Sequence, residues 1–194
     1  EKASLVSRVP VINAGDGTGQ HPTQALLDLY TIKKELGKID GITIALVGDL
    51  KHGRTIRSLA YLFGKYKGLK IYFVSPQALR VGNDIKNYLK RHKIDYEETE
   101  DLNSVIYKVD VLYQTRIQKE RFKSEKEYKK FKGCYQIDGK LVRRMKAKSI
   151  IMHPLPRVGE ILPEVDNSPK AVYFKQARYG LFIRMALLKY ILKA

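Results

Sequence analysis

The sequence predicts an α/β fold: a doubly wound, Rossmann-like parallel sheet. Two observations carry this. Segments of helical spacing alternate with short apolar runs along the chain. The runs are nearly continuous, as in Ile42-Thr43-Ile44-Ala45-Leu46-Val47, and such strands are buried on both faces. No internal repeat or low-complexity tract interrupts the pattern.

The elements follow in order. Gly15-Asp16-Gly17-Thr18-Gly19 is a loop, and Pro22 fits the first turn of the helix after it. Ala25, Leu29, Ile32 and Leu36 keep helical spacing, and Asp40-Gly41 turns the chain into the strand at Ile42–Val47. Ile56, Leu59, Ala60 and Phe63 return to helical spacing, and Leu69–Val74 is a second strand. A helix is expected over Asn83–Lys90, a polar edge strand over Asp95–Thr99 and a short helix over Asp101–Tyr107. Val109–Tyr113 reads as a buried strand, Glu125–Phe131 as helical, and Ser149–Met152 as a last central strand. Leu181, Met185, Leu188 and Leu192 mark a terminal helix.

Composition narrows the function classes. A chain of 194 residues, 44% apolar and 29% charged, is long enough for a proper core. The single cysteine, Cys134, excludes an internal disulfide and a cysteine-based zinc site. No apolar run reaches membrane-span length, and Glu1-Lys2-Ala3-Ser4 lacks a signal-peptide core, so a cytoplasmic protein is the simplest reading. The net charge of +17 invites a nucleic-acid reading. Its densest part, Lys119–Lys132, nonetheless interleaves Glu120, Glu125 and Glu127, as a solvated surface would.

In a doubly wound sheet, ligands bind outside the carboxyl ends of the strands, so the loops after each strand carry the chemistry. Gly48-Asp49-Leu50-Lys51-His52-Gly53-Arg54-Thr55 has P-loop spacing with Arg54 where that motif needs lysine. A guanidinium there suits a bidentate grip on a carboxylate, and it sits against the dipole of the helix it opens. In Tyr113-Gln114-Thr115-Arg116-Ile117-Gln118, Arg116 and Gln118 point the same way if the loop is extended, as a second carboxylate clamp would require. Met152-His153-Pro154-Leu155-Pro156-Arg157 is a stiff loop whose carbonyls suit an NH₂ group, or simply a rigid turn. His21 opens the first helix, with Gln24 one turn on. There it can donate to a developing oxyanion or serve structure alone.

Taken together, these segments resemble the aspartate carbamoyltransferase catalytic chains. The text that carries the resemblance is Val11-Ile12-Asn13-Ala14-Gly15-Asp16-Gly17, His21-Pro22-Thr23-Gln24, Gly48 to Thr55, Thr115 to Arg121, and His153-Pro154-Leu155-Pro156-Arg157. Tyr173-Phe174-Lys175-Gln176 and Arg184-Met185-Ala186-Leu187-Leu188 follow. The resemblance implies transfer of the carbamoyl group of carbamoyl phosphate to the α-amine of L-aspartate, a step of pyrimidine biosynthesis, with no metal and no cofactor. His21 is implied to stabilise the oxyanion, with Gln24 and the Pro154-Leu155-Pro156 segment holding the carbamoyl NH₂. Arg54 is implied to bind the α-carboxylate, and Arg116 with Gln118 the β-carboxylate. The resemblance also implies a homotrimer and leaves a regulatory chain open. It gives no role to nucleic acid or membrane. In the sister ornithine enzymes the third loop resembles His-Cys-Leu-Pro, and an ammonium side chain has little use for Arg116. The family's Asn-Gly step before its last helix is Arg178-Tyr179-Gly180 here.

The family's phosphate-binding string, Ser-Thr-Arg-Thr-Arg, does not occur. With a first residue of Glu1, this suggests a piece of a longer enzyme, inactive alone. The expected division is a connecting segment over 1–20, an aspartate-binding domain over 21–174, and a C-terminal helix over 175–194. The apolar side of that helix is expected to be exposed.

Overall fold

The computed structural model describes residues 2–17, 19–122 and 124–193. Thr18, part of the expected loop, lies outside the described residues. A short helix α1 (Lys2–Val6) leads through an extended segment to α2 (Pro22–Leu36). Strands β1 (Thr43–Val47) and β2 (Lys70–Val74) flank α3 (Arg54–Phe63), and α4 (Asn83–Arg91) leads to β3 (Asp95–Thr99). Then come β4 (Val111–Gln114), α5 (Glu125–Lys129), α6 (Gly139–Arg143), β5 (Ile150–Met152) and α7 (Tyr173–Leu192).

All strand pairs are parallel, in the order β3-β2-β1-β4-β5. From β1 the chain winds outward through β2 to β3, then returns to lay β4 on the other side of β1. The winding therefore reverses between β1 and β4, and a crevice opens beyond their carboxyl ends.

The pleat splits the core in two. Ile44, Leu46, Ile71, Phe73, Val111 and Tyr113 face α2, α3 and α4, meeting Ala25, Ile32, Ile56, Leu59 and Phe63. Ala45, Val47, Tyr72, Val74 and Leu112 face the other way, onto Val105, Ile106, Ile137, Leu141 and Tyr173. This two-sided burial explains the unbroken apolar runs. At the opposite end, the Asp110 carboxylate accepts the Thr43 N–H at 2.8 Å and the Lys146 ammonium at 2.8 Å. Gly48 ends β1 with φ +116°, where a Cβ would lie 2.5 Å from the Thr115 carbonyl oxygen. Only glycine lets the two central strands end so close together.

Three elements differ from expectation. Ser149–Met152 was expected to be central, but β5 begins at Ile150 and lies at the sheet's edge. It is buried because the 170–172 segment covers its outer side, bonding Ile151 N–H to Lys170 O at 2.7 Å and Val172 N–H to Ile151 O at 3.0 Å. The helix expected over Asp101–Tyr107 shortens to one 3₁₀ turn, Leu102–Ser104. Asp101 caps it, and Val105 leaves helical geometry at φ −122°. The helix expected over Glu125–Phe131 stops at Lys129. Polar β3 is an edge strand, as its sequence indicates, and Lys70 and Lys86 neutralise its carboxylates.

Helix α7 packs on α2. Tyr179 meets Tyr30 edge to face at 5.2 Å and its hydroxyl donates to Glu35 at 2.6 Å. Beyond Gly180 its apolar side turns outward: Leu181 is 59% exposed and Leu192 66%.

Phe63 has no exposed surface. Phe63→Ala is expected to cost about 3–5 kcal/mol, read as a lower urea midpoint at unchanged slope.

Candidate active site

The crevice beyond β1 and β4 is a cleft open to solvent. All eight residues singled out from the sequence line it: His21, Gln24, Arg54, Arg116, Gln118, Pro154, Leu155 and Pro156. Asp49, Thr55, Thr115 and His153 join them.

Each is held by local structure. After β1, the buried Asp49 carboxylate accepts the His52 backbone N–H at 3.0 Å and faces the His52 ring at 3.0 Å, closing the turn that starts α3 at Arg54. The Arg54 guanidinium lies over the 15–17 backbone and donates to Gly17 O at 3.4 Å. Gly15 is under double constraint there: its φ is +123°, and a Cβ would sit 2.8 Å from the guanidinium. The Asp16 carboxylate accepts the Gln20 N–H and the Asn13 amide, which folds this segment back on itself.

His21 precedes α2, and its backbone N–H is held by Ser58 Oγ at 2.8 Å. Burial, then the positive charges of Arg54 and Arg184, push its imidazole below its ordinary value of 6.5, against a smaller pull from Asp16. The ring is therefore neutral at pH 7, a single N–H donor that puts no further charge in a cationic cleft.

The 153–157 loop is built around a buried imidazole. His153 Nδ1 accepts the Leu155 N–H at 2.8 Å, so the ring's proton sits on Nε2, which donates to Glu160 at 2.7 Å. That bond holds Leu155 at φ +53°, a conformation side chains rarely adopt. Pro154 and Pro156 have no N–H, and that of Leu155 is engaged. Residues 154–156 thus offer only carbonyl oxygens, a set that fits an NH₂ donor.

Arg116 and Gln118 stand at the rim after β4. Each already has an internal partner: Arg116 donates to Glu120 at 2.6 Å, and Gln118 Oε1 accepts from Arg121 at 3.1 Å. A ligand carboxylate at Arg116 would replace that of Glu120.

Beneath the cleft lies a group the sequence reading did not assign, the carboxylate of Asp28, with no exposed surface. Oδ1 accepts the Gln24 amide at 2.9 Å and the Gln176 amide at 2.7 Å, and Oδ2 accepts the Tyr113 hydroxyl at 2.7 Å. Gln176 Oε1 in turn accepts the His153 backbone N–H at 2.9 Å. Burial pushes the Asp28 carboxyl up to about 7, although the three hydrogen bonds pull the other way. A signal was present: Asp28 stands four residues after Gln24, among Ala25, Leu29 and Ile32 on the apolar stripe of α2.

Chemically, the cleft offers two guanidinium groups, a neutral imidazole and a cluster of acceptors. These suit a ligand with carboxylates, a polarisable carbonyl and an amide-like NH₂.

Comparison with known proteins agrees with that chemistry. The family model "Aspartate/ornithine carbamoyltransferase, Asp/Orn binding domain" matches residues 40–191, and "Aspartate/ornithine carbamoyltransferase, carbamoyl-P binding domain" matches residues 1–34. The chain is 57% identical over 192 residues to the chloroplastic aspartate carbamoyltransferase of Arabidopsis thaliana, covering 98% of this chain and 49% of the relative. It is 54% identical to the catalytic subunit from Methanocaldococcus jannaschii, over 98% of this chain and 62% of the relative. The chain thus spans about half the length of the plant relatives it matches. A crystal structure of the M. jannaschii catalytic subunit superposes with a TM-score of 0.91 at 54% identity, covering 99% of this chain and 62% of that one. Aspartate transcarbamoylase of Trypanosoma cruzi in complex with N-(phosphonacetyl)-L-aspartic acid gives 0.89 at 45% identity, covering 96% and 60%.

Two measurements probe the electrostatics. In an NMR titration, His21 is expected to titrate below 6.5, and Arg54→Ala to raise its midpoint by removing one of the charges that depress it. Asp28 binds its proton more tightly folded than unfolded. Its contribution to stability is therefore full at low pH and falls as pH rises from 3.8 through about 7. Asp28→Asn is expected to flatten that stretch of a urea-midpoint profile.

Proposed function

The chain belongs to the aspartate/ornithine carbamoyltransferase family, and from that we propose that it is the aspartate-binding part of an aspartate carbamoyltransferase. The observation that carries this reading is the meeting, in one cleft, of two guanidinium groups with an acceptor-only loop. The first pair matches a dicarboxylate amino acid and the second a carbamoyl NH₂.

In the proposed reaction, Arg54 holds the α-carboxylate of aspartate and Arg116, with Gln118 beside it, the β-carboxylate. Gln24 Oε1 and the carbonyls of Pro154 and Leu155 take the carbamoyl NH₂, and the following Pro156 keeps the loop rigid. The neutral α-amine attacks the carbamoyl carbon, and the new C–N bond forms as electrons move onto the carbonyl oxygen. His21 donates to that oxyanion. On collapse the C–O bond to phosphate breaks, phosphate leaves with the electron pair, and it accepts the proton the amine releases. N-carbamoyl-L-aspartate and phosphate result. The chain contributes position and electrostatics, and no covalent intermediate forms on it.

We assign the expected division to this reading, with residues 21–174 as the aspartate-binding unit and α7 as a returning helix. A homotrimer and a cytoplasmic location belong to it as well. Among the described residues no helix is long and apolar enough to cross a membrane.

Calorimetry with L-aspartate, its unreactive analogue succinate and N-carbamoyl-L-aspartate tests the reading. All three are expected to bind, and Arg116→Ala to weaken each by about 10–100-fold, the worth of a charged hydrogen-bonded pair. L-ornithine is expected to give no heat. Binding of ornithine as tight as that of aspartate would falsify the dicarboxylate assignment.

A further inference from the structure

We propose that Asp28, which does not itself line the cleft, is the positioning residue that sets the cleft's hydrogen-bonding sense, holding Gln24 and Gln176 with their N–H groups inward and their oxygens outward. The inference rests on the carbamoyl-transfer reading for the identity of the ligand, but its geometry stands without it.

A glutamine amide has two ends of similar shape and opposite hydrogen-bonding character. On its own, Gln24 can turn either end to the cleft. Only the oxygen suits a carbamoyl NH₂, because the nitrogen would set donor against donor. Asp28 removes the choice. Oδ1 faces two amide N–H groups and acts only as an acceptor, whether the carboxyl is ionised or carries its proton on Oδ2 beside Tyr113, and it takes the Gln24 N–H at 2.9 Å. Reversing the amide would press oxygen against oxygen in a site that water does not reach, since Asp28 has no exposed surface. Gln24 Oε1 accepts no hydrogen bond among the described residues, and Gln24 lines the cleft.

The same oxygen orients the second amide. Gln176 gives its N–H to Asp28 Oδ1 at 2.7 Å, which turns its oxygen to the His153 backbone N–H at 2.9 Å. That bond anchors the start of the 153–157 loop. One carboxylate on α2 therefore sets one acceptor of the cleft, Gln24 Oε1, and through Gln176 on α7 anchors the start of the acceptor loop. The Tyr113 hydroxyl from β4 donates to Oδ2 and holds the carboxylate itself.

Two substitutions separate positioning from bulk structural support. Asp28→Ala removes the acceptor for both amides. Asp28→Asn keeps an oxygen for both amides and turns its NH₂ toward the Tyr113 oxygen. By NMR, Asp28→Ala is expected to speed hydrogen exchange of the His153 backbone N–H by about tenfold. Leu112, in a central strand, should be unaffected, and Asp28→Asn should restore protection at His153. In calorimetry, the unsubstituted protein is expected to prefer N-carbamoyl-L-aspartate to succinate through the carbamoyl NH₂ contacts, and Asp28→Ala to lose that preference while keeping succinate affinity within about twofold, since Arg54 and Arg116 are untouched. Asp28→Asn is expected to keep the preference. Unchanged exchange at His153 in Asp28→Ala overturns the proposal, as does an equal rise at His153 and Leu112, which marks a purely structural role. If the unsubstituted protein binds neither ligand, the carbamoyl-transfer reading falls, and exchange alone still decides for or against Asp28.

Discussion

The reversal of winding between β1 and β4 is the constraint from which the rest of the molecule follows. Two parallel strands that send their chains to opposite sides leave an open crevice between their carboxyl ends, and no packing closes it. Gly48 lets the strand ends meet closely enough for both outgoing loops to face the same space. The N-termini of α2 and α3 then fall on the rim, bringing His21 and Arg54 with them. Two chain segments far apart in sequence, around residues 21 and 154, complete the walls.

Electrostatically, the cleft is cationic but not indiscriminately so. Arg54 sits at a helix N-terminus, where positive charge is disfavoured, and the backbone around residues 15–17 holds it there. His21 is kept neutral by burial and by that same positive field. Arg116 carries its own carboxylate, Glu120, at 2.6 Å. Other cations lie away from the cleft, some of them on carboxylates, as with Lys70 and Lys86 beside β3 and Lys146 on Asp110. The net charge of +17 is thus a poor guide to the site, whereas two guanidinium groups at strand ends are a good one.

What the sequence made legible was whatever depends on periodicity or on chain chemistry. The buried strands announced themselves because both faces of the sheet are covered, and Pro22 marked the start of α2. The loops after β1, β4 and β5 were identifiable by their arginines and prolines. Order within the sheet was not legible: Ile150–Met152 has a central strand's composition because the 170–172 segment, distant from the sheet in its sequence pattern, covers its edge. The short helix α6 escaped notice because five residues hold too little of a helical period. Asp28 was missed for a different reason. Its partners Tyr113 and Gln176 stand 85 and 148 residues away, so nothing local distinguished it except a charge on an apolar stripe.

On the proposed function, the acceptor-only loop has a consequence for how its selectivity can change. Its filter is made of missing hydrogens: two prolines that have none to offer and one N–H turned back onto His153. A molecule with an oxygen or a methyl group in place of the NH₂ finds no donor there to satisfy or attract it. The discriminating groups are carbonyl oxygens of the main chain, which no codon change can replace one for one. Retuning such a filter requires redirecting the backbone itself, so drift in surrounding side chains can alter how tightly a ligand is held long before it alters which end of the ligand is recognised.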